Sequence, residues 1–143
     1  MAPLLHILAM GRIGQSEEMA IVKRYLDRLA WPYRISERKK NSKQSWPKPM
    51  KASRSVLLDE RGHNMTSMQF ASTLQSWNEE GAREVRFYLG ADDGHDKLEP
   101  KQADLTLSLG AMTWPHLLVR AMLAEQIYRA VSIINHHPYH REG

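Results

Sequence analysis

The stretch from Leu105 to Glu142, LTLSLGAMTWPHLLVRAMLAEQIYRAVSIINHHPYHRE, constrains the fold more than any other part of the chain. It reads as a short apolar strand, Leu105–Leu109, a tight loop of Gly110, Ala111, Met112 and Thr113, and one long helix from about Pro115 to Ile134. Thr113 or Trp114 suits the helix cap, and Pro115 suits the first turn, where no N–H is needed. Apolar residues cover more than one face of the helix, among them Leu117, Leu118, Val119, Met122, Leu123, Ile127, Val131 and Ile134. A surface helix shows a single stripe, so this one has to be covered on several sides, by its own sheet and by a second subunit. Asn135 and Pro138 end it.

The chain before it alternates strands and helices. Leu4–Met10 is a short apolar strand, and Gly11 and Gly14 make the turn out of it. Ser16 is a good N-cap, with Glu17 and Glu18 at the positive end of the helix that follows. Met19, Val22, Leu26 and Leu29 keep helical spacing until Pro32. Tyr33–Ser36, Ser55–Asp59 and Val85–Leu89 read as strands, about Ser67–Asn78 as a helix, and Lys97–Ala103 as a short helix. Asn41–Ser53 has neither period and is a loop. This order predicts one domain over residues 1–143, an α/β fold with a mostly parallel sheet and helices on both faces. Ordinary connection rules give an open, unknotted sheet.

Charge is placed unevenly. Residues 34–54 hold eight basic side chains and one acid, a net +7, so with +4 overall the rest of the chain carries −3. A local positive segment of this kind suits a phosphate-bearing partner, with Lys39, Lys40 and Lys43 as candidate RNA contacts. Trp46 within it either stacks on a base or anchors the loop. The chain has no Cys, which excludes disulfides, thiolate metal sites and cysteine nucleophiles. Pro138 separates His136 from His140, and Asp92, Asp93 and Asp96 lack the spacing of a calcium loop, so no metal is expected. The N-terminal apolar run is short for a secretory signal, and Arg120, Glu125, Gln126 and Arg129 are too polar for a membrane span. A cytoplasmic protein without a membrane partner is therefore expected. No P-loop, Rossmann glycine fingerprint or HExxH motif occurs.

Two loops at strand ends are candidate ligand sites. The Gly90 turn is either a binding loop or an ordinary strand-end turn. Gly110 and Ala111 let backbone approach a ligand closely, yet the same loop could serve only to start the helix.

The run TWPHLLVRAMLAEQIYRA followed by HPYHR resembles the C-terminal signature of the ribosomal RNA large subunit methyltransferase H family. The likeness extends more loosely through Leu57-Leu58-Asp59 and Tyr88-Leu89-Gly90. The resemblance implies a SPOUT-class fold with a C-terminal trefoil knot and S-adenosyl-L-methionine (SAM) as cofactor, beside the homodimer already expected from the apolar C-terminal helix. It implies methylation of N3 of a pseudouridine in 23S rRNA, on the assembled ribosome. It places SAM against Leu58, Gly90, Leu109, Gly110, Ala111, Met112, Thr113 and Trp114. It makes Tyr139 and His140 the catalytic tail, with Arg141 and Arg120 toward RNA. His140 is then either a proton acceptor or a docking group. The family usually has two adjacent glycines where this chain has Gly90-Ala91, and a longer segment in place of Asn41–Ser53. The competing reading is a non-catalytic RNA-binding or ribosome-assembly module of the same fold.

Overall fold

The computed structural model describes residues 1–39, 42–90, 98 and 100–141. Five strands form one sheet: β1 (Leu4–Met10), β2 (Tyr33–Arg38), β3 (Ser53–Asn64), β4 (Glu84–Leu89) and β5 (Leu105–Ser108). Their spatial order is β2-β1-β4-β3-β5, and every neighbouring pair is parallel. Parallel pairing needs long crossovers. Helix α1 (Glu17–Leu26) makes the one between β1 and β2, and α2 (Ser67–Glu79) the one between β3 and β4. Helix α3 (His116–Ile134) follows β5.

Each helix begins where the sequence supplies a partner for its free N–H groups. The Ser16 side chain accepts from the Met19 N–H at 3.1 Å. Thr66 and Gln69 form a reciprocal capping box at α2, a Thr-x-x-Gln signal that the sequence reading passed over. The exception is α3, whose N-cap is Pro115 with no side-chain cap. Thr113, expected to serve there, has turned its hydroxyl to Glu60 instead, at 2.7 Å.

The alternation of side chains along each strand separates two layers. Leu5, Ile7 and Ala9 of β1 and Val85, Phe87 and Leu89 of β4 face the helices, where they meet Leu26, Leu74, Leu123 and Ile127 in one continuous core. Phe87, Leu74, Leu123 and Ile127 are fully buried, so truncating any of them costs about 2–5 kcal/mol. The opposite register, with Leu8, Leu57 and Tyr88, faces the other way. The parallel α/β sheet is as expected, but the placement of helices differs: among the described residues, all three α-helices pack on one face. Trp46, Leu98 and Ala103 cover the second face; of the expected helix at Lys97–Ala103, Lys97 and Glu99 lie outside the described residues, and the described part holds a 3-10 turn over Pro100–Gln102. The Ser-, Lys- and Pro-rich segment before β3 has no helical period, and it covers the sheet through one buried indole rather than through a helix stripe.

That second face is polar below the indole. His6 Nδ1 lies 2.9 Å from Glu84 Oε2, and His6 Nε2 lies 2.7 Å from the Ser36 hydroxyl. Glu84 also accepts the Met50 N–H at 2.9 Å. Arg86 donates to the Pro47 carbonyl, and Arg38 donates to the Gln44 carbonyl while stacking 4.2 Å above the Trp46 ring. The basic segment is thus tied to the sheet at Gln44, Pro47 and Met50. Trp46 is the anchor of this segment, buried among Leu8, Leu57 and Tyr88.

Candidate active site at the strand ends

The carboxyl ends of β3, β4 and β5 converge on one cleft of about 410 Å3. This lies within the range of small-molecule sites. Leu58, Gly90, Leu109, Gly110, Met112, Thr113 and Trp114 all line it. These are seven of the eight residues read from the sequence as cofactor-binding; Ala111 stands exposed in the same loop. Gly90 has φ +70° and Gly110 φ +124°, the left-handed region in which a Cβ is strained. The backbone here therefore turns sharply with no side chain filling the turn. Met112 and Trp114 are 73% and 40% exposed, so apolar surface stands open at the rim. Residues 91–97, including Ala91, Asp92, Asp93 and Asp96, lie outside the described residues.

The sequence reading missed one wall of the cleft. β3 is longer than expected, and its register against β5 shifts between Leu58 and His63, both of which lie opposite Leu107. The four residues between them bulge, bringing Asp59, Glu60 and Arg61 to the cleft. Gly62 allows this: a Cβ there would stand 2.6 Å from the Thr106 carbonyl oxygen. Arg61 contacts both Asp59 carboxylate oxygens, at 3.2 and 3.0 Å, and its side chain and N–H hold the Asp59 pKa below the ordinary value. Ser108 Oγ accepts the Gly110 N–H at 3.0 Å and lies 3.1 Å from the Glu60 carbonyl oxygen. The signal of this wall in the sequence is Asp59, the last residue of the Leu57-Leu58-Asp59 likeness; nothing marks Glu60 or Arg61.

Arg120 was expected to face RNA and does not. It is 1% exposed, and its guanidinium pairs with Glu37 and donates to the Gly11 carbonyl at 3.1 Å. Glu37 also accepts the Ile13 N–H at 2.9 Å. Arg120 is therefore a brace joining α3 to the ends of β1 and β2.

The C-terminal tail lies elsewhere in the same chain. It folds back on the middle of α3. The Tyr139 hydroxyl donates to Glu125 at 2.9 Å, and its ring lies edge-on to Tyr128 at 4.8 Å and beneath the Arg129 guanidinium at 4.8 Å. Burial first, then the contacts with Tyr25 and Glu125, push the Tyr139 hydroxyl pKa up. Arg129 is held by Glu125 at 2.6 Å and reaches His140 Nδ1 at 3.0 Å. A guanidinium only donates, so Nδ1 is the acceptor and the imidazole proton sits on Nε2. Arg141 is exposed. Lys39 and Lys43 are exposed on the basic segment, and Lys40 lies outside the described residues.

Among the described residues, no group of three His, Cys, Asp or Glu side chains could hold a metal, and no helix is long and apolar enough to cross a membrane.

Residues 4–140 match the family model described as "Predicted SPOUT methyltransferase". The ribosomal RNA large subunit methyltransferase H of Novosphingobium aromaticivorans is 48% identical over 140 residues, covering 98% of this chain and 99% of the relative. Those of Rhizorhabdus wittichii and Sphingopyxis alaskensis are each 50% identical over 140 residues, with 98% of this chain and 99% and 98% of the relatives covered. A parallel α/β sheet with a glycine-turned cleft at its strand ends, near-complete coverage and half-identity agree: the chain belongs to the SPOUT methyltransferases and, among them, to the ribosomal RNA large subunit methyltransferase H family.

Proposed function

We propose that the chain transfers a methyl group from SAM to N3 of a pseudouridine in 23S rRNA on the assembled ribosome. The observation that carries this reading is the convergence of Leu58, Gly90 and the loop from Leu109 to Trp114 on one cleft. The donor set fits the cofactor. Turns at Gly90 and Gly110 leave room for backbone to approach an adenine edge, and Met112, Leu109 and Trp114 offer apolar walls to the adenine ring. When bound, SAM supplies an electrophilic methyl on a sulfonium, whose departure as a neutral thioether needs no acid.

The protein's tasks are then positioning and proton removal. The N3–H of a uracil-type ring must lose its proton as the N–CH3 bond forms and the S–CH3 bond breaks. His140 Nδ1 is engaged by Arg129 in the docked tail, so His140 acts as acceptor only after leaving that contact. In the docked state Tyr139, held by Glu125 and Arg129, fixes the tail. Exposed Lys39 and Lys43, with Arg141 on the tail, supply phosphate contacts for the RNA.

The active unit is a homodimer. Leu118 and Met122 on α3 stay half-exposed in one chain, and Met112 and Trp114 stand open at its start. Apolar side chains left open along one helix suit an interface between two copies. Incubating the protein with tritiated SAM and ribosomes, then mapping the labelled base, tests the proposal. Label at N3 of a 23S pseudouridine is expected. RNA binding with no transfer would support the non-catalytic module, and label on another RNA would displace the assigned substrate.

A further inference from the structure

We propose that Glu60 is a positioning residue for the cofactor loop, an inference that rests on the SAM reading of this cleft. The loop between β5 and α3 starts a helix that has no side-chain cap. Its link to the neighbouring strand is the Thr113 hydroxyl, which donates to Glu60 Oε2 at 2.7 Å. A second contact joins the same two segments: the Ser108 hydroxyl accepts the Gly110 N–H and shares its one proton between the Gly110 carbonyl at 2.9 Å and the Glu60 carbonyl at 3.1 Å. Side chain and backbone of one residue thus hold both ends of the loop against the β3 bulge. Asp59 beside it is occupied by Arg61, so Glu60 is the carboxylate that faces the loop.

The consequence is preorganisation. Without the Thr113 contact, the residues from Gly110 to Trp114 gain conformations, and a ligand must pay to order them on binding. The effect falls on cofactor affinity and not on the chemical step, because Glu60 touches the loop and not the transferred methyl. What the loop needs from Glu60 is an acceptor, which an amide oxygen also provides.

SAM titration calorimetry and single-turnover transfer on four variants test this. Glu60→Ala is expected to weaken SAM binding about five- to tenfold and raise KM for SAM equally, with little change in rate at saturation. Glu60→Gln should recover most of the affinity. Thr113→Val should weaken SAM binding at least as far, since Thr113 also lines the cleft, and adding Glu60→Ala to it should weaken SAM binding no further. Unchanged affinity in Glu60→Ala, an equal loss in Glu60→Gln, or additive losses in the double variant would each overturn the inference. If the unaltered protein fails to bind SAM, the cofactor assignment itself falls; normal SAM binding by Glu60→Ala removes only the role of Glu60.

Discussion

Replacing Arg120 with Met tests whether this side chain is a brace or an RNA contact. Methionine keeps a long unbranched stem in the space the arginine fills, so the change isolates the guanidinium. Three things are lost: the ion pair with Glu37, the bond to the Gly11 carbonyl at 3.1 Å, and the longer approach to the Met10 carbonyl at 3.4 Å. Removing one partner of a buried pair costs about 3–5 kcal/mol, because the other is left uncompensated. Here Glu37 keeps the Ile13 N–H and its side chain is 24% exposed, so water recovers part of the loss. That places the cost near the lower end, about 3 kcal/mol. With an unfolding entropy of about 2 cal/mol/K per residue, this corresponds to a melting temperature lower by about 10 °C. Arg120→Lys should fall between, since one ammonium cannot reach Glu37 and the Gly11 carbonyl together. Thermal unfolding followed by circular dichroism, at one fixed protein concentration, measures both. A shift in Arg120→Met under about 3 °C would refute the brace. Weakened RNA binding at an unshifted melting temperature would return Arg120 to the RNA surface.

Acid should destabilise the protein in two stages. Burial, offset in part by Glu84, lowers the His6 pKa from 6.5, so the unfolded chain takes up that proton first, and stability that is full above about pH 6.5 declines below it. For Glu84, burial acts to raise the pKa but is outweighed by the Met50 N–H, His6 and Arg86, so the net shift is below 4.5 and a second decline begins beneath that pH. Melting temperature against pH should show both stages, and His6→Asn should lack the upper one; an unaltered upper stage would exclude His6 as its source. Neutralising Lys39 and Lys43 together should flatten the dependence of log RNA affinity on log salt by about 1.4–1.8, measured by filter binding, and an unchanged slope would mean that neither lysine meets a phosphate. Gly62→Ala forces a Cβ to within 2.6 Å of the Thr106 carbonyl oxygen, so it should cost about 1–3 kcal/mol in denaturant unfolding; a neutral result would mean that the bulge is free to shift.

Strands and helices were legible because their signals are local. The apolar runs at Leu4–Met10 and Glu84–Leu89 and the capped helix after Ser16 need no knowledge of the rest of the chain. The strand-end cleft was legible for a related reason: glycines that must turn mark its two loops, and the family resemblance named the same residues. What escaped is what depends on distant pairing. The β3 bulge exists because His63 and Leu58 both lie opposite Leu107, a register no window of β3 alone contains. The carboxylate of Glu60 and the fate of the Thr113 hydroxyl follow from that bulge. Arg120 was misread because an arginine in a helix gives no sign of whether it meets solvent or, as here, a glutamate 83 residues earlier. The Ser-, Lys- and Pro-rich segment read correctly as a loop. Its burial of Trp46 over a His–Glu pair depends on which strands end up adjacent.

The position of the tail bears on how the proposed reaction is assembled. Helix α3 rises about 1.5 Å per residue, so Asn135 at its end stands about 28 Å from His116 at the cleft end. Five residues from Asn135 to His140 span at most about 18 Å when fully extended. In its docked position His140 stands against Arg129, about 15 Å along α3 from Val119 in the cleft wall, so it does not meet the cleft of its own chain. Two copies related by a two-fold axis across the middle of α3 would set each tail beside the partner's cleft, and Leu118 and Met122, left half-buried on α3 in one chain, would be covered by such a contact. The test is complementation. Gly110→Trp should keep its tail but lose SAM, and a chain ending at Pro138 should keep its cleft but lack the tail. Each alone should be inactive. Mixed dimers should regain transfer, because the intact cleft of one chain receives the intact tail of the other. Tritium transfer by the mixture measures this, with mixed dimers confirmed by mass. Mixed dimers that form yet stay inactive would refute the crossed arrangement, and a monomeric mass for the unaltered protein by light scattering would remove its premise.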